Sequence, residues 1–297
     1  MFYLFPLITV AIWAGNAIVN KMAFSVIDPG AISFYRWFFA LVMLTPFVAK
    51  SVWRDRAIIK PYLTKLAFLG LLGMVLNQSL GYFAAATTTA TNIALIISLV
   101  PLISMFLSVP ILGQRLSPFA LIGAVLSLSG LVLMLSHGDV KSLISQGIKQ
   151  GDMLMLIAAA VYALYCVLLK RWKMPFSTWK SVYVQCLFAV VMLTPLLLTS
   201  HRMAITASAV PLIAYAALLA SVIAPWLWML SIERLGADRT AMFMNLLPIM
   251  AAGIASVMLN EHLEAYHYIG GIMVLTGVAL AQKRIKAKKQ AAAMTTA

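Results

Sequence analysis

Long apolar blocks run along this chain, separated by short clusters of Gly, Pro, Ser, Asp, Lys and Arg. A bilayer's hydrocarbon core is about 30 Å thick and takes roughly 20 apolar residues per helix. The blocks therefore predict ten membrane-spanning helices, near residues 2–21, 31–49, 63–84, 90–111, 118–136, 153–170, 178–199, 209–231, 237–259 and 265–282. Helices are required because backbone polar groups in lipid must be bonded within their own segment. The longest polar connection, 137–151, carries Val140, Leu143, Ile144 and Ile148 at helical spacing and predicts a short surface helix. At Leu116-Ser117-Pro118 a Ser cap and a Pro in first position predict a helix start. Thr91 and Asp238 are read as the corresponding caps of the fourth and ninth spans.

The polar punctuation repeats. Leu80–Leu131 aligns without a gap on Leu227–Val278, placing Pro101 on Pro248, Thr91 on Asp238, Gly123 on Gly270 and Gly130 on Gly277. The second and seventh spans share Phe39-Ala40-x-x-Met43-Leu44-Thr45-Pro46 and Phe188-Ala189-x-x-Met192-Leu193-Thr194-Pro195. Trp13, Asn16 and Lys21 of the first span fall on Tyr162, Tyr165 and Lys170 of the sixth. These matches divide the chain into a first five-helix repeat (1–136), a connecting loop (137–151), a second repeat (152–282) and a basic tail (283–297). Five is odd, so the halves enter the membrane in opposite senses. The predicted fold is an all-α integral membrane protein, two inverted five-helix repeats around a central cavity, as in many secondary transporters.

Composition agrees: 63% of the 297 residues are hydrophobic and only 10% charged. The net charge of +14 raises the question of nucleic acid, but basic residues also crowd loops kept in the cytoplasm. With the N-terminus inside, that side collects Lys50, Arg54, Arg56, Lys60, Lys65, Arg115, Arg171, Lys180, Arg234 and the basic tail, against Lys141, Lys149 and Arg202 outside. Both termini are expected in the cytoplasm, with a lipid bilayer and no nucleic acid as partner. The N-terminal MFYLFPLITV lacks a basic n-region and is read as a retained first span. Cys166 and Cys186 fall inside apolar runs, with neither disulfide nor metal spacing.

The segment ATNIALIISLVPLISMFLSVPILGQRLSPFALIGAVLSLSGLVLM and its second copy carry a small-residue helix, a mid-helix Pro, a short turn and a Gly-rich closing helix. In this the chain resembles the ten-helix EamA branch of the drug/metabolite transporter superfamily over nearly its whole length. Gln114 stands where that family usually has Glu, and Asn260 where it usually has Gly; Glu261 keeps the acid. The resemblance implies a transporter and not an enzyme, in a bacterial inner membrane. It also implies the export direction and the amino-acid class of substrate, and places the fifth and tenth spans outside the cavity.

Polar residues within spans are costly unless bonded or facing water. Trp13, Asn16 and Asn20 share one face of the first span, with Tyr162 and Tyr165 on the matching face of the sixth. Asn77 and Gln78 lie deep in the third span with Tyr82 beyond, Asn245 in the ninth, and Trp226 in the eighth. Each could instead serve helix-to-helix bonding, but together they predict a substrate site in a cavity lined by spans one, three, four, six, eight and nine. Arg36 has two readings: it snorkels to the outer interface, or it attracts a substrate carboxylate, with Lys21 as a second cation. Pro101 and Pro248 are candidate hinges. The paired glycines of spans five and ten fit internal packing or, alternatively, a homodimer seam, a monomer being the simpler expectation.

All eight acids and all four His fall in loops or near span ends, whereas proton coupling usually uses such a group at mid-depth. No cofactor or metal motif is present. The expectation is a transporter of small neutral or zwitterionic metabolites such as amino acids, working by alternating access, facilitative or by exchange. The alternatives are a proton-coupled multidrug or cation exporter of the same fold, and a lipid-carrier flippase or membrane-embedded enzyme.

Overall fold

A computed structural model describes residues 2–139, 148–236, 240 and 242–281, and every regular element among them is helical. In chain order these are α1 (Leu4–Val26), α2 (Pro29–Arg54), α3 (Arg56–Ala84), α4 (Ala90–Leu112), α5 (Pro118–Leu135), α6 (Gln150–Trp172), α7 (Thr178–Leu198), α8 (Ala209–Leu235), α9 (Phe243–Met258) and α10 (Ala265–Ala281). Eight of them, α1 to α8, are long and apolar enough to cross a bilayer, while α9 and α10 are shorter apolar helices. The description of α9 is interrupted before Phe243 and that of α10 stops at Ala281. The protein is an all-α, multi-pass membrane protein. The surface helix expected within 137–151 falls mostly on residues 140–147, and the cap expected at Asp238 on residues 237–239; both lie outside the described residues.

Small residues set how closely the helices approach. Ala14, Ala17, Ala94, Ala158, Ala159, Ala163, Ala251 and Ala255 form one buried core shared by α1, α4, α6 and α9. Large side chains point outward: Phe47, Val191 and Val257 are 82%, 69% and 81% exposed, as a lipid-facing surface requires. α5 and α10 pack face to face through their glycines. A Cβ on Gly130 would sit 2.6 Å from the Gly270 carbonyl oxygen, and one on Gly123 would run into the backbone of Gly277 and Ala281. These four glycines are engaged with one another inside one chain. The paired-glycine face is thus used within the chain, the internal packing that the spacing allowed.

Helix ends follow local chemistry. Ser117 accepts from the Ala120 N–H and Pro118 stands in first position, as expected. For α4 the cap is Thr89, whose Oγ1 accepts from the Asn92 N–H at 3.0 Å. Thr91 lies one residue inside the helix and bonds Glu261 instead. Three consecutive threonines precede Ala90, and the one with extended backbone takes the cap. At the α1–α2 turn, Asp28 accepts from the backbone N–H groups of His201 and Arg202 and from Arg202 Nε, tying that turn to the α7–α8 loop.

Four helices are irregular where they approach the centre. α3 contains a π-helical stretch at Leu71–Leu76, and α8 one at Tyr215–Ile223. α4 breaks at Ser98–Leu99, just before Pro101, and α9 contains a 3₁₀ turn, Phe243–Leu246, just before Pro248. Each of these prolines lacks the N–H that would bond the preceding turn, so the irregularity falls where the bond is missing. Pro46, by contrast, lies within an uninterrupted α2.

Candidate functional site

Arg36 of α2 joins four helices. Its Nε donates to Ser221 Oγ on α8 at 2.8 Å; its Nη1 donates to Gln78 Oε1 at 2.9 Å, Asn16 Oδ1 at 3.1 Å and Tyr82 Oη at 3.4 Å. The residue is 3% exposed. It does not snorkel to the interface: eight residues into α2 its side chain points inward, where acceptors from α1, α3 and α8 converge. Arginine stays protonated in proteins, so the charge is permanent. Burying a charge is costly unless it is paired. Four neutral dipoles solvate this one, and none of the ion pairs among the described residues includes it.

The π-helical stretches explain how these groups meet. A π turn bonds i to i+5 and is frequent at functional sites. Ser221 lies within one, bonding back to the carbonyl of Ala216 five residues earlier while receiving Arg36. The same stretch offers the Ala220 carbonyl to the Trp13 indole at 3.2 Å. In α3 the stretch offers the Met74 carbonyl to the Trp37 indole at 2.9 Å, and Gln78 follows one turn later. Gly73 in that stretch admits the Tyr165 ring: a Cβ there would lie 2.8 Å from Cδ2.

Aromatic rings flank the Arg36 group. Tyr162 and Tyr165 stack with centroids 5.5 Å apart, and Trp13 meets Trp228 at 5.4 Å. Asn16, Gln78, Trp13, Tyr162, Tyr165 and Trp228 are all only half-buried although they lie among packed helices.

Of the residues singled out from sequence, Asn16, Asn20, Gln78, Tyr82 and Arg36 come together; Asn20 Oδ1 accepts from Asn16 Nδ2 at 3.4 Å. Trp13, Tyr162 and Tyr165 form the adjoining aromatic faces. Trp226 is 49% exposed and makes none of the bonds or ring contacts that join these residues. Asn77 is 4% exposed, with its Oδ1 enclosed and unpartnered, and takes no part in the Arg36 bonds. Asn245 lies in the 3₁₀ turn Phe243–Leu246 of α9. Lys21 is also elsewhere: its Nζ donates to the carbonyls of Ala85 and Thr88 at 2.8 and 2.7 Å. Ser221 and Trp228 were not foreseen. A lone hydroxyl in the run Ala-Ala-Leu-Leu-Ala-Ser was the available signal for the first.

Lys21 belongs to a second polar group at one end of the bundle. Thr88 Oγ1 also donates to Asp152, which is 1% exposed at the start of α6 and accepts from Asn92 Nδ2. Glu261, in the α9–α10 turn, accepts from the Ala90 N–H at 2.7 Å, the Thr91 N–H at 3.2 Å and Thr91 Oγ1 at 2.7 Å. A carboxylate at a helix N-terminus satisfies free N–H groups and complements the helix dipole. These bonds hold α1, α4, α6 and the α9–α10 turn together at that end.

A helical, multi-pass architecture with polar side chains gathered between its spans defines a small-molecule membrane transporter. The chain belongs to the EamA-like transporter family, whose model matches residues 1–136 and 149–282. Members of this family are transporters and not enzymes. It is 28% identical over 280 residues to an uncharacterized transporter of Archaeoglobus fulgidus, covering 92% of this chain and 94% of that protein. It is 27% identical to the uncharacterized transporter YyaM of Bacillus subtilis, over 84% of this chain and 81% of that one. A probable terminal-alkyne amino-acid exporter of Streptantibioticus cattleyicolor is 25% identical over 77% of this chain and 76% of its own. One solved crystal structure superposes with a TM-score of 0.62 at 17% identity, covering 94% of this chain and 95% of that one, a likeness of fold.

Proposed function

We propose that the protein exports small neutral or zwitterionic metabolites such as amino acids by alternating access, without a coupling ion or by exchange. The carrying observation is the Arg36–Asn16–Gln78–Ser221 group, contributed by four helices and flanked by the Tyr162–Tyr165 and Trp13–Trp228 pairs. Aromatic faces receive the apolar part of the substrate, and the amides and Arg36 its polar part. The resemblance to an amino-acid exporter over most of the chain supports the substrate class and the direction.

In this reading the ten helices form two inverted halves, 1–136 and 152–282, in an inner membrane with both termini cytoplasmic. The two stretches matched by the family model and the parallel breaks before Pro101 and Pro248 support that division. The end held by Lys21, Asp152 and Glu261 then faces outward and is the closed gate, and the helix halves rock about the two prolines. Arg36 disfavours the cationic-drug alternative, because a fixed positive charge repels that cargo.

Efflux of labelled amino acids from loaded proteoliposomes tests the proposal. Transport is expected in the wild type and lost in the Asn16→Ala/Gln78→Ala double variant. No flux, or equal flux in both, overturns it.

A further inference from the structure

We infer that the site selects a small organic monoanion, a carboxylate beside an apolar or aromatic body, with no need for a free amine. The inference rests on the transport reading above and shifts its substrate class from zwitterions to monoanions. The argument is an inventory of spare hydrogen-bonding capacity around Arg36. Nε and Nη1 carry all its bonds; Nη2 has no acceptor among the described residues. The side-chain atoms enclosed without a partner are Asn77 Oδ1, Ser79 Oγ, Asn92 Oδ1 and Gln185 Oε1. Nη2 is not one of them, so it is not fully enclosed. Gln78 must turn its oxygen to the guanidinium, because an amide NH₂ cannot accept. Its Nε2 is thereby left as a second donor, also unpartnered among the described residues and not enclosed.

Two adjacent donors, one charged, match the two oxygens of a carboxylate, and charge-assisted bonds of this kind are the strong ones. An ammonium group meets the opposite situation. The nearby acceptors, Asn16 Oδ1, Gln78 Oε1 and Ser221 Oγ, are already turned to Arg36. The carboxylates that are buried or bonded nearest the core are committed elsewhere, Asp152 to Thr88 and Asn92, Glu261 to the start of α4. An amine could use only the remaining lone pairs of these neutral oxygens and would stand beside a cation that no acid among the described residues pairs with, whereas a carboxylate completes what is open and neutralises that cation.

Binding to the purified full-length protein separates the possibilities with four probes of one shape: 3-phenylpropionate, its neutral amide 3-phenylpropionamide, the cation phenethylamine, and zwitterionic phenylalanine. Phenylpropionate is expected to bind at least tenfold tighter than the amide or the amine, and no weaker than phenylalanine. Arg36→Gln is expected to erase the preference for carboxylate over amide, and Arg36→Lys to keep it in weakened form. The wild-type series stands alone should Arg36→Gln fail to fold. Amide or amine binding as tightly as the acid overturns the inference. Phenylalanine binding without phenylpropionate also overturns it, while leaving amino-acid export standing. Failure of all four overturns both.

Discussion

The Arg36 guanidinium on α2 and the Gln78 amide on α3 meet at 2.9 Å, joining a permanent cation to a neutral acceptor where a carboxylate would have cancelled the charge. Gln78→Glu tests what that neutrality is for. The new carboxylate is expected to pair with Arg36, hold or raise the melting temperature in detergent, and cut substrate binding at least tenfold. Gln78→Ala is expected to cost about 1–2 kcal/mol of stability, the upper range for a hydrogen bond between membrane helices. Melting curves and equilibrium binding on the same preparations check both.

Much of this was legible in the sequence. Span positions follow from apolar block length, and Gly123, Gly130, Gly270 and Gly277 announced a close helix pair through their spacing. Asn16, Gln78 and Tyr82 were recognisable because amides and a phenol in hydrocarbon must bond something. The direction of Arg36 was not legible: one position on a helix permits a snorkelling or an inward side chain, and the choice depends on acceptors from three other helices. Trp226 and Trp228 show the other limit. The π-helical stretch at Tyr215–Ile223 inserts extra residues per turn and rotates everything after it, leaving Trp226 exposed and bringing Trp228 to Trp13. No local signal in an Ala- and Leu-rich run marks that rotation.

Gly130→Val is expected to destabilise strongly. Its Cβ would lie 2.6 Å from the Gly270 carbonyl oxygen, and overpacking of this kind costs about 1–3 kcal/mol. A lower melting temperature and reduced membrane yield are the readouts, and Gly253→Ala, where nothing lies within 4 Å, is the matched control.

Glu261→Ala removes the acceptor of the Ala90 and Thr91 N–H groups at the start of α4. A loss of about 0.5–2 kcal/mol is expected, as for other helix caps. Faster labelling of a cysteine placed at Asn92 by a water-soluble maleimide would show that this end of the bundle opens more often.

Asp28 provides an acid-sensitive contact outside the spans. Its bonds from the Arg202 backbone and side chain hold its carboxyl below the ordinary carboxylate range. A depressed value stabilises the fold above the ordinary carboxylate pKa, near pH 4, and that contribution fades as pH falls through the lowered one. The melting temperature of Asp28→Asn is therefore expected to show less acid dependence below pH 4 than that of the wild type.

Pro101→Ala restores an N–H at the break in α4. Substrate affinity is expected to stay within about twofold, a shift under 0.5 kcal/mol, while the transport rate falls several-fold. Binding and proteoliposome flux measured side by side separate the two effects.

Under the proposed alternating-access cycle, an arginine that pairs with no acid among the described residues also makes the vacant carrier a voltage sensor. With one gate shut, most of the membrane potential falls across that gate, so the Arg36 charge sits at the potential of whichever side has access. Moving a unit charge through 100 mV is worth about 2.3 kcal/mol. A negative cell interior thus draws the empty protein back to face the cytoplasm, whereas a bound anion would blank the charge and let the loaded form turn outward unopposed. The resting potential would then set the direction of the cycle with no ion carried alongside.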